Sequence, residues 1–419
     1  MRFSYFDDQA ITEAKLVSKA KALNTYREFI ANLNPEDKPE HPEYSLTYPA
    51  DYDLYETLEK VKKDFKSVKH LVLVGIGGSS LGTEAIYAAL GQNAVSLTVL
   101  DTIAPYKLHQ TLAELKKIKN PKHLAVCVIS KSGSTTETLA NAAVLLAELE
   151  AQFSAEKLYQ QVVFIGDEDS ALATYAKKVS SQYLAMPKII GGRYSVATAV
   201  GLVPLAILGY NTDDFIAGYL DSGEERYEIE ATASATRLAL YHSLKYPHYN
   251  FFAFDPRLER LGAWYRQLLA ESLGKETDTT GKIQKFSLVP SVSTPTELHS
   301  TGQLYLSGTA KTYTDFVSLD DTVYDFKIPK TSKLAANLKK FSHHDIATAL
   351  YGGVISAYQS KKLPYRATIF EDNLLYSLGL FMGVRLREVM YTAKLLKLNA
   401  FDQPNVELYK IKTKEILGI

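Results

Sequence analysis

The hydrophobic positions of this 419-residue chain change rhythm twice. Up to about residue 34, apolar side chains fall at Ile11, Leu16, Ala20, Leu23 and Ile30, a spacing that predicts a helical N-terminal segment. Pro35, Pro39, Pro42 and Pro49 then mark a boundary. Beyond it come short, nearly unbroken apolar runs at 71–74, 95–100, 124–129 and 162–165, separated by helical patterns such as 82–90 and 139–149. Strands that are apolar on both faces belong in a parallel sheet covered on each side, so the first half is predicted to be α/β. A comparable alternation returns at 251–254 (strand), 257–272 (helix), 286–292 (strand), after Pro295 (helix) and at 316–319 (strand), predicting a second α/β unit. From Asp372 the pattern is helical to the end, broken at 399–404. The apolar stretch 194–210 contains Ser195, Thr198, Gly201, Pro204 and Gly209 and is short for a bilayer span, so it reads as a buried helix.

Composition narrows the partners. Hydrophobic residues make up 46% and charged ones 22%, which suits two domains with proper cores. Lys plus Arg and Asp plus Glu both total 47, so no overall field draws the chain to nucleic acid or anionic lipid, and a small-molecule partner is favoured. The single cysteine, Cys127, lies in an apolar run and cannot form an internal disulfide, which fits a reducing compartment. The N-terminal residues turn acidic at Asp7 and Asp8, where a secretory signal needs an apolar core, so a cytoplasmic protein is expected.

Two loops carry candidate chemistry. Gly75-Ile76-Gly77-Gly78-Ser79-Ser80-Leu81-Gly82 follows the first strand, and Asp101 ends the next at a distance that suits a dinucleotide-binding fold. The third glycine of that fingerprint falls on Ser80, however, and no Gly-Lys-Ser/Thr of a Walker loop follows. What remains is a strand-to-helix turn suited to a sugar or phosphate oxygen, with a plain tight turn as the bland alternative. The second loop, from Ser130 to Thr138, joins a strand to a helix and is crowded with hydroxyls. Helix N-terminal amides, the positive dipole end and short hydroxyl side chains together favour an anion. Ser134 and Glu137 have the spacing of a capping box, which leaves Ser130, Ser132, Thr135 and Thr138 for a ligand.

Single residues add weaker signals. Arg193, in Gly191-Gly192-Arg193-Tyr194-Ser195, places a fixed cation on a flexible turn where it could face an oxyanion. Gln267 and Glu271 lie one turn apart on one helix face, and Glu271-Ser272-Leu273-Gly274-Lys275 closes that helix at a glycine. A carboxylate there can serve as a base, although most such glutamates are merely solvated. His299 could move a proton to or from a sugar oxygen or be purely structural. His343-His344-Asp345 has no convincing third ligand, and no metal is assigned. Gln403-Pro404 opens the last helix, where Lys410 reads as ordinary surface charge.

Taken together, Gly-Ile-Gly-Gly-Ser, Ser-Lys-Ser-Gly-Ser-Thr-Thr-Glu-Thr, Gly-Gly-Arg-Tyr-Ser, Glu-Ser-Leu-Gly-Lys, Glu-Leu-His-Ser and Gln-Pro-Asn-Val-Glu-Leu-Tyr-Lys closely resemble the glucose-6-phosphate isomerase family, from about Gly75 to Lys410. The resemblance implies an α/β fold of two sugar-isomerase-type α/β/α sandwiches with mainly parallel sheets. It divides the chain into an N-terminal helical segment and linker (1–53), two such subdomains (54–215 and 216–400) and a C-terminal helix (401–419). It implies interconversion of glucose 6-phosphate and fructose 6-phosphate through a cis-enediol, in glycolysis and gluconeogenesis, with no cofactor or metal. By the same resemblance Ser130, Lys131, Ser132, Thr135 and Thr138 hold the phosphate, while Gly78, Ser79, Gln267 and Gln403 line the sugar site. Glu271 carries the proton between carbons, Arg193 stabilises the developing negative charge, and His299 and Lys410 assist ring opening. A homodimer is implied, with the histidine supplied across the subunit interface. Asn405 and Tyr409 depart from glycines usual in the last motif.

Overall fold

The computed structural model describes residues 1–34, 40–91, 94–320, 324–371 and 373–418. Pro35, Pro39 and Asp372, used above to mark boundaries, lie outside the described residues. The first sheet contains β2 (His70–Val74), β3 (Ser96–Leu100), β4 (Leu124–Ile129), β5 (Val162–Gly166) and β6 (Gln182–Ala185), all parallel and in the order β3-β2-β4-β5-β6. The second contains β1 (Arg2–Phe6), β7 (His248–Ala253), β8 (Val289–Ser293), β9 (Thr312–Leu319) and β10 (Tyr365–Phe370), in the order β1-β10-β9-β7-β8. Only β1 runs antiparallel, so the expected mainly parallel α/β class holds.

Alternation along each strand explains why both faces need a cover. Leu71 and Leu73 enter the core formed with the helix Ala199–Ile207, whereas Val72 and Val74 enter the one formed with the helix Thr136–Phe153. In the second sheet Tyr249 and Phe251 face the core built with the helices Glu259–Leu273 and Leu374–Leu396. Phe252 and Phe254 face the other way, toward Phe316 and Tyr358. The 194–210 stretch contains the helix Ala199–Ile207, every residue of which is buried. Among the described residues no helix is long and apolar enough to cross a membrane.

A buried ion cluster ties the second sheet to its helices. Arg366 of β10 donates from Nε and Nη2 to Asp315 of β9, at 2.9 and 2.6 Å, and from Nη1 to Glu388 at 2.8 Å. Arg385 closes the ring, donating to Asp315 at 2.9 Å and to Glu388 at 2.7 Å. Tyr265 of the helix Glu259–Leu273 donates to the same Glu388, at 2.5 Å. That helix is thereby fixed at its middle, just before Gln267 and Glu271.

Candidate active site

The order β3-β2-β4 means that the chain leaves β2 in one direction and β4 in the other. The helix after β2, Leu81–Leu90, packs on one face of the sheet, and the helix after β4, Thr136–Phe153, packs on the opposite face. In open α/β sheets ligands bind beyond the carboxyl ends of two such strands, and both candidate loops lie at those ends.

The hydroxyl loop is drawn together by its own bonds. Ser130 Oγ donates to Thr135 Oγ1 at 3.0 Å, and the hydroxyls of Ser132 and Ser134 are 2.9 Å apart. Gly133 has φ +63°, a left-handed turn that an L side chain resists. The helix starts at Thr136, earlier than the 139 expected, with Thr135 as N-cap. The Ser134–Glu137 capping box expected from spacing does not form. Ser134 is one residue too early, and its backbone N–H and hydroxyl are engaged by Ser132 instead. Lys131 is half buried; burial pulls its pKa below the ordinary lysine value, with Arg193 adding to the effect and Asp167 opposing it.

The second cluster forms around Arg193, which is 3% exposed. It lies on the short 3-10 turn Gly192–Tyr194, and its side chain is held firmly rather than loosely. Nε donates to Ser272 Oγ at 2.9 Å; Nη1 donates to Glu271 Oε2 at 3.3 Å and to Gln403 Oε1 at 3.1 Å. Nη2 donates to the carbonyls of Ala400 and Asp402. Gln267 Nε2 donates to the other oxygen of Glu271 at 3.0 Å, so the carboxylate is oriented from both sides. Its side chain keeps 30% of its surface open.

The glycine loop packs directly against this cluster. A Cβ on Gly78 would lie 2.2 Å from the carbonyl carbon of Gly192, so only glycine allows the contact. In the dinucleotide reading the glycine that admits the pyrophosphate is Gly77, and the amide nitrogen of Gln267 already lies 2.7 Å from where its Cβ would be. Three buried polar atoms at the candidate site, Ser80 Oγ, Thr138 Oγ1 and Gln267 Oε1, have no partner among the described residues.

Glu271, Arg193, Gln267, Gln403 and Gly78, all expected at the site, are brought together by the structure. His299 and Lys410 make no hydrogen bond or ion pair with that cluster among the described residues. His299 is exposed at the end of the 3-10 turn Pro295–His299, and Lys410 pairs with Glu407 of its own helix at 2.7 Å. Ser272, Lys275 and Asp402 carry bonds that sequence reading did not anticipate. Two of them stood inside the quoted Glu-Ser-Leu-Gly-Lys motif, where a polar residue beside a helix end was the available signal.

Fold and site define a two-sheet α/β protein in which a hydroxyl-rich loop at a helix N-terminus stands beside an oriented carboxylate–guanidinium pair. The phosphoglucose isomerase family model matches residues 55–418, and the chain belongs to that family. A glucose-6-phosphate isomerase of Thermus thermophilus is 31% identical over 374 residues, covering 87% of this chain and 88% of that one. One from Mycoplasma capricolum is 30% identical and covers 89% of both chains. Among solved structures, a hypothetical protein from Thermus thermophilus superimposes with a TM-score of 0.81 at 27% identity, covering 97% of this chain and 98% of that one. A glucose-6-phosphate isomerase from Chlamydia trachomatis gives a TM-score of 0.81 at 20% identity, covering 99% of this chain and 88% of that one, a likeness of fold.

Proposed function

We propose that this protein interconverts glucose 6-phosphate and fructose 6-phosphate, with Glu271 as the base that carries the proton. The observation that carries this reading is the Glu271 carboxylate, open on one side and held between Arg193 Nη1 and Gln267 Nε2. In the aldose-to-ketose direction Glu271 takes the proton from C2 of the open-chain sugar. The C–H electron pair forms the C1–C2 double bond of the enediol, and the carbonyl electrons move to O1. The O2 proton passes to O1, the electrons left on O2 form the C2 carbonyl, and the C1–C2 π pair takes the proton back from Glu271 at C1, which gives the ketose. A fixed cation lowers the energy of the intermediate because negative charge grows on oxygen only as the C–H bond breaks, and Arg193 supplies it.

Ser130, Ser132, Thr135 and Thr138, with the Lys131 backbone, would bind the phosphate at the N-terminal end of the helix Thr136–Phe153. Gly78, Ser79, Gln267 and Gln403 would line the sugar site. Ring opening is assigned to His299 and Lys410. The exposure of His299 supports a homodimer in which that residue completes the site of the other subunit. The C-terminal helix Glu407–Leu417 buries none of its residues and presents Leu408, Tyr409 and Ile411 to solvent, as a helix awaiting a second copy would. The proposed segments are 1–53, 54–215, 216–400 and 401–419, and the compartment is the cytoplasm.

The test is conversion of fructose 6-phosphate to glucose 6-phosphate without added cofactor or metal. Glu271→Gln should lower kcat by about a thousandfold, within the range for removing a positioned base, while retaining affinity for inorganic phosphate. Full activity in that variant would remove Glu271 from its role.

A further inference from the structure

Arg193 can act on substrate through only part of its guanidinium. Nε and Nη2 are occupied by Ser272 Oγ and by the carbonyls of Ala400 and Asp402, and these three acceptors turn the Nη1 edge toward Glu271 and Gln403. The direction of that edge therefore depends on where the 399–403 segment sits relative to the helix Glu259–Leu273. Besides Arg193 itself and Tyr194, whose hydroxyl meets Ser272 Oγ and donates to the Ala400 carbonyl, one further side chain fixes this relation. Lys275 Nζ donates to the carbonyl of Glu271 at 2.7 Å and to the carbonyl of Asp402, and it pairs with Asp402 Oδ1 at 2.9 Å.

The ammonium group thus has two carbonyl acceptors and a paired carboxylate, and each of these groups has a reason to need it. The Glu271 carbonyl belongs to the last turn of its helix, where no later helical N–H reaches it. The Asp402 carbonyl is the one that Arg193 Nη2 also uses, at 3.0 Å, so two cations share one oxygen. The Asp402 carboxylate balances that charge and is itself held by Asn399 Nδ2 at 3.0 Å. A surface lysine has no such arrangement. This one is 8% exposed, and burial lowers its pKa while Asp402 pulls it back.

We propose that Lys275 is a positioning residue for the isomerisation, clamping the helix end that bears Glu271 to the segment that bears Gln403 and orients Arg193. The proposal rests on the isomerase reading. It assigns Lys275 no contact with substrate; its effect passes through the alignment of base and cation, which must be held to a fraction of an ångström.

Lys275→Met keeps the length of the stem and removes the three donors. In the fructose 6-phosphate assay its kcat should fall about 10- to 100-fold, with KM within about threefold of the wild type, because phosphate and hydroxyl binding are left in place. Affinity for arabinonate 5-phosphate, whose planar carboxylate mimics the enediolate, should fall by a similar factor, whereas affinity for inorganic phosphate should not. A kcat within twofold of the wild type, or a loss carried equally by KM, would overturn the clamp and leave the isomerase reading standing. A wild-type protein without isomerase activity would overturn both. Should Lys275→Met not fold, Asp402→Asn, which removes the carboxylate charge facing Lys275 and Asn399 and leaves the backbone carbonyl in place, is read in the same assay. A kcat several-fold below the wild type supports the clamp, and an unchanged kcat rejects it.

Discussion

Two arginine–carboxylate assemblies in this molecule use the same groups to opposite ends. Around Arg366, both carboxylates and both guanidinium groups are essentially sealed from solvent, with contacts between 2.6 and 2.9 Å. Around Arg193, the guanidinium is equally buried, but the carboxylate of Glu271 stands 3.3 Å away with 30% of its side chain open. Neutralisation is complete in the first and leaves nothing to react. In the second, backbone carbonyls and Ser272 absorb most of the arginine's donors, so its charge is fixed without being spent on the carboxylate. A base must keep access to a carbon acid, and a structural carboxylate must not.

Breaking the sealed assembly should have the larger effect, and on stability alone. Asp315→Ala leaves Arg366 and Arg385 buried with only Glu388 of their two shared carboxylates and should cost about 3–5 kcal/mol, read as a lower unfolding midpoint, with kcat of the folded fraction unchanged. Burial pushes the Asp315 and Glu388 carboxyls up, but Arg366 and Arg385 outweigh it and hold both below their ordinary values. Their contribution is therefore complete above the ordinary carboxylate range of about 3.9–4.3 and is lost as pH falls below it, toward the lower folded-state values. Melting curves between neutral and acid pH should show that loss in the wild type and a blunted one in Asp315→Ala. Arg193→Lys should do the reverse: a compact ammonium cannot span the same five contacts, so kcat should fall about a hundredfold while the melting midpoint moves far less. Equal losses of stability in the two variants would erase the contrast between the assemblies.

The legible parts of the chain were those whose causes lie close together in sequence. The runs 71–74, 124–129 and 162–165 are buried on both faces over most of their length, and they form strands as their apolar content requires. β10 was missed because Arg366 interrupts its apolar pattern, and the groups that neutralise that arginine are 51 and 22 residues away. β1 was missed because it is an edge strand with no fully buried residue. At the site, motif order singled out Glu271 and Arg193 as candidates, but the fan of bonds around Arg193 spans separations of 78 to 210 residues and has no local signature. The Ser134–Glu137 box failed for the opposite reason: local spacing predicted a cap, and the loop's own hydroxyls moved the helix start to Thr136.

The central claim is that Glu271 transfers a proton through an enediol. Incubation of the wild-type protein with fructose 6-phosphate in deuterated water, followed by mass and NMR analysis of the glucose 6-phosphate formed, reads that proton directly. Deuterium at C2, introduced by the wild type and absent with Glu271→Gln for want of turnover, is the result this account predicts. Glucose 6-phosphate formed rapidly with no deuterium at C2 at any time, or labelled equally fast by the variant, would contradict it.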